Sequence, residues 1–127
     1  MRAEKKDKPE DLKRRTKAFA LRVIRLYSAL PRTTEAQVIG KQLLRSATSV
    51  GAHFREATRG RSNAEFISKL EGGLQELEES AYWMELLADA GIISKERLED
   101  LTTEANELTA ILVTCVKNVR SRRRNGK

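Results

Sequence analysis

Apolar residues recur along this chain at alternating steps of three and four in four separate segments, the spacing that lines one face of an α-helix. The first segment begins near Asp11 and carries Leu12, Thr16, Phe19, Val23, Leu26 and Leu30 before Pro31 stops it. The second opens at Thr34, whose hydroxyl can cap the helix while Gln37 reaches back. Its stripe is Ala36, Ile39, Leu43, Ala47, Val50, Phe54 and Ala57, and it ends around Arg59 and Gly60. Ser62 with Glu65 makes another capping box, ahead of Phe66, Leu70, Gly73, Leu77, Ser80, Met84 and Leu87, and Gly91 supplies the stop. Ser94 caps the last segment, with Leu98, Leu101, Ala105, Leu108, Leu112, Cys115 and Val119 inward.

The connections, around residues 31–33, 60–61 and 91–93, are too short for anything but antiparallel neighbours. The pattern therefore predicts an all-α fold, an up-down-up-down antiparallel four-helix bundle over residues 11–119. Residues 1–10 read as a mobile N-terminal tail and residues 120–127 as a basic C-terminal tail. A chain of 127 residues is one domain's worth, and with 2 Pro, 7 Gly and 5% aromatics it leans towards helix.

Composition narrows the chemistry. No apolar run approaches the ~20 residues that span a bilayer, and residues 1–10 are too polar for a signal peptide, so the expectation is a cytoplasmic protein without a membrane role. Cys115 is the single cysteine and His53 the single histidine, which leaves no intrachain disulfide, no ordinary metal cluster and no cofactor to expect. Glu-rich bundles that hold two irons use Glu-x-x-His pairs, whereas His53 has Val50 and Glu56 at three residues. With no matched nucleophile and base along the chain, it reads as a non-enzyme.

Charge changes the picture most. Residues 1–61 carry 16 Lys and Arg against 6 Asp and Glu, a net +10; residues 62–116 carry 3 against 12, a net −9; residues 117–127 carry 6 against none, which brings the total to +7. A basic half, an acidic half and a basic tail point to a polyanion, to a second copy of the chain, or to both. Turning the second helix by about 100° per residue sets Lys41, Arg45, Thr48, Ala52, Arg55 and Arg59 on a stripe away from the apolar one. The first helix adds Lys13, Arg14, Lys17, Arg22 and Arg25, with Leu21 and Ile24 among them outside the core stripe. The third repeats Glu71, Glu78 and Glu85, with Glu79 and Asp89 nearby and Trp83 off the inner stripe. Uncovered apolar residues beside ridges of opposite sign suggest subunits packed side by side, head to tail.

The stretch from Ala36 to Ala57 with its Leu43, Leu44, Arg45, Ser46 block, then Arg61 to Leu70, then Glu78 to Leu87, resembles the four-helix bundle family of proteins encoded in intervening sequences of bacterial 23S ribosomal RNA genes. The resemblance spans residues 11–119. Members are similar in fold to the accessory protein of diversity-generating retroelements, a basic pentameric barrel. What the resemblance implies is a homopentamer with RNA or DNA, and a reverse transcriptase, as partners. His53 departs from the family pattern, where Asn is usual.

Two functions compete on these grounds. One is an oligomeric, largely sequence-independent nucleic-acid binder using Lys13, Arg14, Lys17, Arg22, Arg25, Lys41, Arg55, Arg59 and the tail's Arg120, Arg122, Arg123 and Arg124. The other is a self-assembling scaffold whose ridges serve only protein contacts. In either case Leu21, Ile24, Arg45, Glu76, Glu79 and Trp83 are the expected subunit-interface residues, with Arg45 paired to Glu76 or Glu79 within or between subunits. His53 reads as a packing residue and Cys115 as an inner-stripe thiol.

Overall fold

The computed structural model describes residues 8–124, with side chains through Arg122. Four helices follow one another: α1 (Pro9–Ser28), α2 (Thr34–Thr58), α3 (Asn63–Asp89) and α4 (Lys95–Arg124). The helix α2 packs on α1 and α3, and α4 closes the ring by packing on α3 and α1. Neither diagonal pair meets, so the chain is an all-α up-down-up-down bundle with one core down its axis.

Local chemistry fixes where each helix begins. Pro9 opens α1, at a position where its missing N–H costs nothing, and Glu10 and Asp11 follow in the first turn. The cap of α2 is Thr33 rather than Thr34: its Oγ1 accepts the Ala36 N–H at 3.3 Å, and Thr34 is already helical. Gln37 does not reach back to the cap. Its Oε1 accepts the Tyr27 hydroxyl at 2.9 Å and its Nε2 donates to the Pro31 carbonyl at 2.9 Å, which ties the α1–α2 turn to both helices. Ser62 Oγ accepts the Glu65 N–H at 3.1 Å, while Glu65 Oε1 accepts the N–H of Arg61 at 2.8 Å, one residue outside the expected box. Ser94 Oγ accepts from Arg97 N–H at 3.3 Å. Gly91, at φ 73°, takes the left-handed conformation that ends α3.

The last helix runs past residue 119, where the sequence pattern ends it, to Arg124. Val116 and Val119 are 4% and 5% exposed, so the buried stripe continues to this point, and Arg120 Nη2 reaches Glu71 Oε2 at 2.6 Å. At the other end, Pro9 and Glu10 are helical as well. Residues 1–7 and 125–127, and the side chains of Arg123 and Arg124, lie outside the described residues.

The core is the predicted stripe with shifts of one residue at its margins. Ile67 and Val116 are buried where Phe66 and Cys115 were expected, and these two, with Leu26 and Ile39, sit half-buried at the edge. Between α2 and α3 the buried hydroxyls of Ser46 and Ser80 lie 2.8 Å apart and bond back to the Leu43 and Glu76 carbonyls, so two small polar side chains let the helices approach with no donor stranded. Gly40 does the same between α1 and α2. A Cβ there would overlap Leu30 Cδ1 and stand 2.9 Å from Tyr27 Cδ1. Gly40→Ala should therefore lower stability by up to about 2 kcal/mol, an overpacking cost of about 1–3 kcal/mol offset in part by the ~1 kcal/mol that alanine gains in helix propensity. A denaturant titration checks this, and a more stable Gly40→Ala protein would contradict it.

Candidate nucleic-acid interface and assembly surfaces

The contacts of Gly51 with Thr16 and of Gly40 with Tyr27 set α1 and α2 antiparallel. On the outside of α1, Leu21 and Ile24 are 42% and 41% exposed, with the exposed cations Arg14, Lys17 and Arg25 around them. Lys41, Arg55 and Arg59 lie on α2 or at its end. Not all the predicted cations are unengaged. Lys13 lies 3.8 Å from Glu10, Arg14 2.6 Å from Asp11 and Arg120 2.6 Å from Glu71. Among the described residues no carboxylate comes within 4.0 Å of Lys17, Arg22, Arg25, Lys41, Arg55, Arg59 or Arg122. Like-charged side chains without partners are screened only by water and salt, and they raise the potential that a polyanion meets.

Sequence reasoning passed over Arg15. Its Nη2 and Nε donate to the two oxygens of Glu104 at 2.7 and 3.0 Å, and Nη2 also donates to Glu107 at 2.8 Å, clamping α1 to α4. Arg15 and Glu104 are about one-fifth exposed. The hydrogen bond donated to Glu104, opposed by burial, raises the already high guanidinium pKa. A signal existed: Arg15 flanks the buried Thr16, and Glu104 and Glu107 flank Ala105 and Leu108 one turn apart. Removing Arg15 leaves a half-desolvated carboxylate pair, so Arg15→Ala should cost about 1–3 kcal/mol, between exposed and buried ion pairs. Because the shift is upward, the guanidinium stays charged below the ordinary arginine range, and its own titration takes nothing from the clamp there. Arg15→Lys should recover only part of the loss, lacking the two-pronged geometry; full recovery in a thermal melt would refute the clamp.

Arg45, Glu76 and Glu79 do come together, within one chain. Arg45 Nη2 lies 2.7 Å from Glu79 Oε2 and Nη1 lies 3.3 Å from Glu76 Oε1, across the α2–α3 seam. The Arg45 side chain is 49% exposed, so this is a surface network and contributes at most about 1 kcal/mol, less than a buried pair would. The hydrogen bond from Arg45 holds the Glu79 carboxyl below the usual carboxylate range. A depressed pKa adds stability above the ordinary glutamate value, and the gain disappears as pH falls through the lowered one. The gap in melting temperature between wild type and Glu79→Gln should accordingly shrink from about pH 7 towards about pH 3. A gap that widens in acid would contradict the pairing.

The seam continues through His53, whose ring packs against Gly72: a Cβ on that glycine would stand 3.0 Å from the imidazole. Its Nδ1 and Nε2 lie 3.6 and 3.9 Å from Glu56 and Glu76, and Lys69 lies 3.5 Å from Glu56. The packing role read from the sequence fits this placement. Trp83 is half-buried at the core edge, with the 51% exposed Tyr82 tilted against it at 5.0 Å between ring centres. Val38, 57% exposed on α2, is a further uncovered apolar residue that the sequence reading missed.

Between α3 and α4 runs a groove of opposite character. Two stretches of about 480 and 590 Å³ have Leu74, Ala81, Ala88, Ala105 and Val113 among their lining, with Glu71, Glu78, Glu85, Asp89, Glu96 and Glu99 also along them. Small side chains leave the groove open, and the acids make it attractive to cations. Among the described residues no three His, Cys, Asp or Glu side chains are grouped to hold a metal, and no helix is long and apolar enough to cross a membrane.

The fold and this division of charge define a four-helix bundle with an apolar, basic face on α1 and an acidic groove between α3 and α4. The chain belongs to the 23S rRNA-intervening sequence protein family, whose family model matches residues 10–114. It is similar to a crystal structure of a protein of unknown function from the S23 ribosomal protein family of Bacteroides thetaiotaomicron, with 37% identity and a TM-score of 0.81. The match covers 86% of this chain and 97% of that one. No curated protein matches.

Proposed function

We propose that the protein is a non-enzymatic, self-assembling nucleic-acid binder that acts through its basic surfaces largely without sequence specificity. Copies join head to tail. Leu21 and Ile24 of one copy enter the α3–α4 groove of the next, and Lys17 and Arg25 meet Glu78 and Glu85. Two unlike surfaces of one chain generate a ring when the rotation closes, and five is the number that the resemblance to the retroelement accessory protein implies. Lys41, Arg55, Arg59 and Arg122 stay outside this contact for RNA or DNA. Membership of a family named for ribosomal RNA genes supports the nucleic-acid half of the reading, and a reverse transcriptase is the protein partner that the retroelement resemblance suggests.

The observation that carries the reading is the set of cations without carboxylate partners on a chain whose acids are gathered along another face. A ring repeats that set in every copy, so weak phosphate contacts act together. Filter binding tests it: retention of RNA or DNA at about 50 mM salt should be strong and should fall by roughly 0.7–0.9 log units per log unit of salt for each phosphate neutralised. The complementary groove also suits a pure scaffold, and absence of retention at that salt would favour the scaffold.

A further inference from the structure

The start of α1, the last turns of α4 and the α2–α3 turn line a shallow cleft of about 380 Å³ at one end of the bundle. Its walls come from four places in the sequence: Pro9 on α1, Ala57, Thr58 and Gly60 to Ser62 at the α2–α3 turn, Asn63 and Phe66 on α3, and Val119 and Arg122 on α4. The volume lies at the lower end of the roughly 300–1,000 Å³ of small-molecule sites, the size of one nucleotide rather than of a duplex. Arg61 and Arg122 both line it, Arg59 stands exposed beside it, and neither Arg61 nor Arg122 has a carboxylate partner among the described residues. The nearest acid in sequence, Glu65, has one oxygen occupied by the Arg61 backbone N–H at 2.8 Å. Phe66 is half-buried, packing against the core and also lining the cleft, so it offers an aromatic side chain there.

Such a cleft offers two things that only an unpaired nucleotide uses together. Guanidinium groups take a phosphate, and an aromatic face takes a base that is not already stacked on a neighbour. A duplex presents phosphates but keeps its base faces covered. We propose that this end of the bundle is a single-strand seat, holding one nucleotide with its phosphate between Arg61 and Arg122 and its base on Phe66. The inference rests on the nucleic-acid reading above and adds to it a preferred strand state and a location. Stacking without base-edge contacts is indifferent to sequence, in keeping with a binder of low specificity.

The test uses the full chain and fluorescence anisotropy with four probes of equal length: oligo-uridine, oligo-thymidine, a blunt duplex and an abasic strand carrying phosphates alone. Wild type should bind both single strands more tightly than the duplex or the abasic strand. Phe66→Leu should weaken both base-bearing strands about tenfold and leave the abasic strand unchanged, whereas Phe66→Tyr, which keeps the ring, should bind like wild type. Arg61→Ala with Arg122→Ala should weaken every probe and flatten the salt dependence. Unchanged abasic binding also shows that Phe66→Leu is folded. If wild type binds in a salt-dependent way but prefers the duplex, or if Phe66→Leu and the double arginine variant bind like wild type, the seat is wrong and the broader reading survives. If wild type binds no probe at about 50 mM salt, where electrostatic contacts are strong, both readings fall.

Discussion

Leu21→Glu combined with Ile24→Glu should convert the proposed assembly into a folded monomer of 14.4 kDa. Both side chains are about two-fifths exposed in the isolated bundle, so the substitutions touch its surface and should change its stability by no more than about 0.5 kcal/mol each. In the proposed ring the same two positions would face the Glu78 and Glu85 rim of the neighbour. Glutamate there loses apolar burial worth about 25 cal/mol per Å² and adds like-charge repulsion in every copy of the ring. The reciprocal change, Glu78→Lys with Glu85→Lys, should dissociate the ring as well, since it sets lysines against Lys17 and Arg25. Mixing the two variant chains should then restore association, because each surface that was spoiled now meets its complement. Light scattering that shows the glutamate variant still assembled would remove α1 from the contact.

The second large effect concerns the polyanion. Arg59→Glu with Arg122→Glu should reduce nucleic-acid affinity at least tenfold at about 50 mM salt, and should lower the salt slope by roughly 0.7–0.9 for each phosphate that is no longer neutralised. These two positions are exposed and have no carboxylate partners among the described residues, so charge reversal breaks no ion pair in the bundle. Removing the tail by a cut after Asn118 is the less clean experiment. It would take away Val119, which is 5% exposed, and Arg120, which is bonded to Glu71, and so would unsettle α4 along with the charge. An unchanged affinity in the Arg59→Glu, Arg122→Glu protein would move the binding surface to Lys41 and Arg55.

The helices were legible because burial on one side of a rod imposes a period on the sequence, and Leu12, Phe19, Leu43, Leu70, Leu77, Leu108 and Leu112 obey it to within a few per cent of full burial. Errors fell where the period is least decisive. Phe66 and Ile67 are adjacent and both apolar, as are Cys115 and Val116, and only the rotation of the helix against its neighbours selects one of each pair. The Thr33 and Thr34 caps are equally ambiguous, since either hydroxyl can accept an N–H three residues on. Pairing across helices was harder still. Arg45 and its acids were found because their faces and heights matched on adjacent helices, whereas Arg15, Glu104 and Glu107 are joined by the closing contact between α1 and α4, whose register no short loop fixes. The groove between α3 and α4 was legible as a run of acids but not as a space, because its lining includes Ala81 and Ala88, which lie off the inner stripe, and Ala105, which the stripe takes as a core position. The basic end was hidden for a similar reason: Arg61 and Arg122 are far apart in sequence and meet only because an even number of helices returns the chain to the end where it began.

Self-assembly and polyanion binding can be read together in one sedimentation-velocity experiment with a fluorescent single strand of about 20 nucleotides, followed at low and at high salt. The strand should co-sediment with a particle of several protomers at low salt and be released as salt rises, while the protein alone keeps its assembled sedimentation rate. A strand that sediments alone at low salt, or a protein that sediments at the rate of a 14.4 kDa monomer, would contradict a self-assembling nucleic-acid binder.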